Sequence, residues 1–106
     1  MAPEQLKDWV IKILDDGKGS GITALDVRGV STVTDFMVVA SGHSQRQVKS
    51  LASQVAEKAK GRGIEPLGME GHSVGEWVLV DLGDVVVHVM LPPIRDFYGL
   101  EKLWGT

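Results

Sequence analysis

A mixed α/β domain, with one five-stranded sheet and helices packed on it, is what this sequence predicts. Three observations carry the prediction. Residues 77–82 and 85–90 are two β-rich runs separated by Gly83-Asp84, a dipeptide suited to a two-residue primed turn. Residues 6–14 and 48–59 carry apolar side chains at helical spacing. Two further strand-like runs, 22–27 and 36–41, precede the second of those helices, so a crossover to a parallel partner becomes possible.

The chain begins with an amphipathic helix. Leu6, Trp9, Val10, Ile13 and Leu14 share one face, Pro3 and Glu4 suit its first turn, and Gly17 stands just past its end. After a loop at 18–21 come the runs 22–27 and 36–41, linked by a Gly/Ser/Thr-rich segment. Ser44 and Gln47 form a capping box for a helix whose stripe is Val48, Leu51, Ala52, Val55, Ala56 and Ala59, stopped at Gly61-Arg62-Gly63. Residues 64–69 read as a strand, with Pro66 at its start or at a sheet edge.

In the hairpin, the turn sets Leu82 opposite Val85, Val80 opposite Val87 and Val78 opposite Val89, a wholly apolar face that must be buried. The other face pairs Asp81 with Val86, Leu79 with His88 and Trp77 with Met90. That mixed face either lies under a helix or meets a partner. Pro92-Pro93 then presets a last short helix, on which Ile94, Phe97, Tyr98 and Glu101 with Leu100, Leu103 and Trp104 give a broad apolar face.

With 106 residues and no repeat or linker, the whole chain reads as a single domain. It has no cysteine, which removes disulfides, thiolate metal sites and a cysteine nucleophile. No signal core, presequence or membrane-length apolar run is present, so a cytoplasmic location is expected. A net charge of −3 disfavours a surface built to neutralise phosphates and suits a basic partner. Direct nucleic-acid contact should be small.

Enzymatic chemistry finds little support. The segment Ser41-Gly42-His43-Ser44 leads into a helix N-terminus, and a magnesium-dependent nucleotidyltransferase could use the Gly42–Ser44 loop to hold phosphates. Such an enzyme needs neighbouring strand carboxylates for its metal ions, yet no strand carries an i, i+2 acidic pair, and Asp81 and Asp84 straddle a turn. The three histidines lack metal-ligand spacing, and no cofactor is implied. A different signal comes from Trp77, Leu79, Met90, Arg95 and Tyr98, which the predicted order places near one edge and which include the residue types that dominate interface centres. Trp9 and Trp104 are expected to finish the core, whereas Trp77 is balanced between core and interface. His88, on the same mixed face, is expected to be hydrogen-bonded and partly buried, within the same partner-binding set.

Several stretches together resemble one family: Ala24-Leu25-Asp26-Val27, Thr34-Asp35-Phe36-Met37-Val38-Val39-Ala40-Ser41-Gly42, Glu70-Gly71, the whole hairpin from Trp77 to Val89, and Arg95-Asp96-Phe97-Tyr98-Gly99-Leu100-Glu101-Lys102-Leu103-Trp104. The chain resembles the ribosomal silencing factors of the Iojap family over nearly its full length. The resemblance implies a fold related to nucleotidyltransferases without their catalytic carboxylates. It also implies a non-enzymatic translational repressor that binds the large ribosomal subunit through its protein fourteen and blocks joining of the small subunit when nutrients are scarce. Free members of the family can form homodimers. On that reading Trp77, Leu79, Met90 and Tyr98 supply the desolvated contact, while Glu70, Glu76, Asp81 and Asp84 steer the encounter with a basic surface.

Overall fold

The computed structural model describes residues 1–104, apart from the side chain of Trp104, so the expectation that Trp104 completes the core lies outside the described residues. The order is α1 (Pro3–Asp16), β1 (Ser20–Asp26), β2 (Phe36–Ser41), α2 (Gln45–Gly61), β3 (Gly68–Glu70), β4 (Trp77–Asp81), β5 (Val85–Met90), α3 (Pro92–Tyr98) and α4 (Leu100–Trp104). The five strands form one sheet in the order β1-β2-β5-β4-β3. Its only parallel pair among the described residues is β2 with β5, and α2, β3 and β4 lie between them in the chain. Every residue of β2 is buried, as its unbroken apolar run requires of a strand covered on both faces.

The hairpin has the expected register, with Trp77 opposite Met90, Leu79 opposite His88 and Asp81 opposite Val86. Gly83 takes φ +88°, and Leu82 N–H donates to the Val85 carbonyl at 2.9 Å, closing the two-residue turn. Val78, Val80, Val87 and Val89 are fully buried, each contributing roughly 1.5–3 kcal/mol of burial. A one-residue slip would send all four to the opposite face. They pack beneath α1 and α2, whose stripes at Leu6, Val10, Ile13, Leu14 and at Val48 to Ala59 are the predicted ones.

The opposite face holds a smaller core of Val27, Met37, Val39 and Met90, joined by Leu25, Trp77, Ile94 and Leu100. Ile94 and Leu100 come from α3 and α4, so the C-terminal helices cover the β1-β2-β5 part of this face. The β4-β3 part stays open: Leu79 and Asp81 are half-buried and Glu70 is exposed. The mixed hairpin face is thus divided, one half under a helix and the other half free.

Three expectations are corrected. The strand read at 64–69 is reduced to Gly68–Glu70, because Ile64 N–H still donates to Ala59 at the end of α2 and Pro66 has no N–H for a ladder. The first strand begins at Ser20 rather than residue 22, with an irregular register between Ser20 and Thr23. The last helix is two helices, broken at Gly99, whose φ of +58° and N–H bond to the Arg95 carbonyl end the first of them. Ser44 caps α2 as expected, accepting from Gln47 N–H at 3.0 Å, but the Gln47 carboxamide oxygen reaches back to His43 N–H rather than to Ser44 itself.

Candidate functional site

The open corner of the sheet is organised by Trp77. Its indole N–H donates to His88 Nδ1 at 2.9 Å, diagonally across the β4–β5 ladder, and its ring lies 4.8 Å from that of Tyr98 at a 51° tilt. Tyr98 in turn meets Phe97 edge-on at 5.1 Å. Beside Trp77 is an open depression of about 300 Å³ lined by Glu70, Gly71, Trp77 and Leu79. Register explains the gathering: Glu70 pairs with Leu79 and Leu79 with His88, so three adjacent strands put these side chains on one face. Glu76, next to Trp77, is exposed. Asp81 uses one carboxylate oxygen to accept from Gly83 N–H at 2.8 Å, which ties it to the hairpin turn.

The predicted partner-binding residues divide by exposure. Glu70, Glu76 and Tyr98 are exposed, and Trp77, Leu79 and Asp81 are half-buried. Met90 has no accessible surface and belongs to the core under α3 and α4, so it can support a contact from below but not make one. His88, 6% exposed, is likewise withdrawn. Arg95 is also turned inward. Its guanidinium donates to Ser41 Oγ at 2.9 Å, to the Gly21 carbonyl at 2.7 Å, to Thr23 Oγ1 at 3.3 Å and to the Glu101 carboxylate. It therefore ties α3 to β1, β2 and α4 instead of reaching outward. Replacing Arg95 by Lys keeps the charge but loses the fork, and should cost about 2 kcal/mol of stability in urea unfolding.

His88 sits in this site as a neutral group. Burial pulls its imidazole from the ordinary 6.5 down to about 4, and accepting the indole proton at Nδ1 requires the ring's own proton to lie on Nε2. The unfolded chain takes up a proton near 6.5, whereas the folded chain resists until about 4. Acid therefore favours unfolding. The contribution of His88 is complete above pH 6.5 and is lost as pH falls towards 4, on the order of 3 kcal/mol in all. Urea unfolding of His88→Gln should show a flatter pH dependence than the unaltered chain across that window.

Sequence reasoning missed Gly71 and Phe97. Gly71 adopts φ +83°, and a Cβ there would stand 2.1 Å from the Trp77 carbonyl oxygen, a closeness that only the folded chain reveals. Phe97, expected on an apolar helix face with Ile94, is 81% exposed and meets Tyr98 edge-on.

The Gly42–Ser44 loop is packed onto its own helix. A Cβ at Gly42 would meet Val48 at 2.8 Å, Ser44 Oγ serves the helix cap, and the Gln47 carboxamide also donates to the Lys18 carbonyl. Among the described residues no group of three or more His, Cys, Asp or Glu side chains is placed to hold a metal ion. No described helix is long and apolar enough to cross a membrane.

Comparison with known proteins agrees with the resemblance seen in the motifs. A family model described as "Ribosomal silencing factor during starvation" matches residues 1–106. The ribosomal silencing factor RsfS of Chromobacterium violaceum is 50% identical over 105 residues, covering 99% of this chain and 86% of that protein. The chloroplastic protein Iojap of Arabidopsis thaliana is 34% identical over 102 residues, covering 90% of this chain and 40% of that protein. Among solved structures, a crystal structure of a Chromobacterium violaceum protein aligns with a TM-score of 0.97 at 50% identity over 99% of this chain and 88% of the other. One from Bacillus halodurans aligns with a TM-score of 0.87 at 40% identity, covering 95% and 94%. The chain belongs to the ribosomal silencing factor family, to which the Iojap proteins are also related.

Proposed function

We propose that this protein represses translation by binding the large ribosomal subunit through its protein fourteen and obstructing the small subunit, lowering translation under nutrient limitation. Family membership supports the ribosomal setting. The observation that carries the reading is the uncovered β4-β3 corner, where Trp77 and Leu79 stand beside Glu70, Tyr98 packs on the indole, and the exposed Glu76 precedes Trp77 in the chain. An aromatic centre rimmed by carboxylates suits a basic protein surface: burial of the rings supplies affinity, and the charges raise the encounter rate. Repression then needs no chemical step. A rigid domain seated on the joining face excludes whatever would occupy the same volume.

The test is co-sedimentation of the full chain with isolated large subunits and, separately, capture by purified protein fourteen. Comigration in both, weakened by added salt, is the expected result. Comigration with subunits but no capture by protein fourteen would move the contact to another ribosomal component. Calorimetric titration with nucleoside triphosphate and magnesium should give no saturable heat, and micromolar binding there would favour the transferase reading.

A further inference from the structure

Resting on that reading, we infer that the depression lined by Glu70, Gly71, Trp77 and Leu79 is a slot for one cationic side chain, an arginine or a lysine, of the protein partner. Four observations converge on it. The only hydrogen-bonding group of the indole, its Nε1–H, is already committed to His88, which is itself buried and fixed in the sheet. What Trp77 offers a partner is therefore the electron-rich ring and not a donor, and a ring quadrupole attracts cations. Glu70 projects from the neighbouring strand into the same depression, and no hydrogen bond or ion pair within the described chain engages its carboxylate. No cationic side chain lines the depression to compete for it. Leu79 and the side-chain-free Gly71 complete walls that suit the methylene stem of a long basic residue.

The chemistry also excludes alternatives. An anion, including a phosphate, would meet Glu70 with no compensating charge. A purely aliphatic partner group would fill the walls but leave Glu70 desolvated without a counter-charge. A cation satisfies both surfaces at once, stacked on or beside the indole and paired with the carboxylate. Tyr98 packs against the same indole, with ring centroids 4.8 Å apart. Within this arrangement His88 is a positioning residue: it acts through Trp77 by turning the N–H inward.

The full chain titrated with Gly-Arg-Gly, Gly-Lys-Gly and Gly-citrulline-Gly, read by the indole N–H signal and by tryptophan fluorescence, tests the slot. The Arg and Lys peptides should saturate in the millimolar range, with the uncharged citrulline peptide at least about fivefold weaker, the size of a cation–π contact plus an exposed ion pair. Glu70→Gln should weaken the Arg peptide by about threefold or more without changing the thermal midpoint. Trp77→Leu should abolish it, and Trp77→Phe should retain part of it, since a phenyl ring keeps a π face. Equal binding of citrulline and arginine, or no effect of Glu70→Gln, would overturn the slot, as would the absence of saturation by any of the three peptides. Failure here with co-sedimentation intact would remove only the slot. Cationic peptide binding without co-sedimentation would retain the slot and remove the ribosomal reading.

Discussion

Trp77→Ala is expected to remove large-subunit binding from a chain that remains folded. The indole centres the open sheet corner, and truncating such a residue costs about 2 kcal/mol or more of binding, roughly a thirtyfold weakening. The variant also leaves His88 Nδ1 without its donor, a stability cost of about 1–3 kcal/mol. That is a fraction of the roughly 5–15 kcal/mol typical of a domain, and the space left by the indole opens to water rather than becoming a sealed void. Co-sedimentation at a temperature where circular dichroism shows native structure separates the two effects. Retained binding would move the contact away from this corner, and global unfolding would make Trp77 principally a core residue.

Gly71→Ala should be the most damaging glycine-to-alanine change among the described residues. The added Cβ would lie 2.1 Å from the Trp77 carbonyl oxygen and 3.2 Å from its carbon, both backbone atoms that no rotamer change can move. The backbone at φ +83° also disfavours any L side chain, by about 1–2 kcal/mol. Strain and displacement together should cost about 3 kcal/mol or more in urea unfolding. Because the displaced strand carries Trp77, subunit binding should fall with it. Gly61→Ala is the control: nothing lies within 4 Å of its Cβ position, and at the end of α2 the substitution should be neutral or stabilising by up to about 1 kcal/mol.

Much of this fold was legible because local pattern and tertiary demand agree. The alternation in residues 77–90 dictated a register that the structure keeps pair for pair, and the stripes of α1 and α2 named their own buried faces. Where the pattern misled, a local backbone feature outweighed the apolar spacing. Pro66 and the Ile64–Ala59 hydrogen bond shorten the edge strand, and Gly99 divides a helix whose apolar periodicity runs straight through it. The site was legible by residue type but not by orientation. Trp77, Leu79 and Glu70 line one depression, with Tyr98 against the indole, while Glu76 is exposed next to Trp77 in the chain. Met90 and Arg95, five positions apart, both face inward, since α3 closes over the first and four acceptors on β1, β2 and α4 hold the second. No periodicity reveals which half of a mixed sheet face a C-terminal helix will cover. Gly71 shows the same boundary: its role is a distance from the loop after β3 to the Trp77 backbone, and a distance has no letter in the sequence.

Repression by occupied volume makes a direct demand on the kinetics of subunit joining. Light scattering of isolated small and large subunits mixed with magnesium should rise more slowly as the chain is added, with inhibition saturating at one chain per large subunit and disappearing for Trp77→Ala. Unchanged joining by large subunits shown to carry the chain at full occupancy would contradict the account.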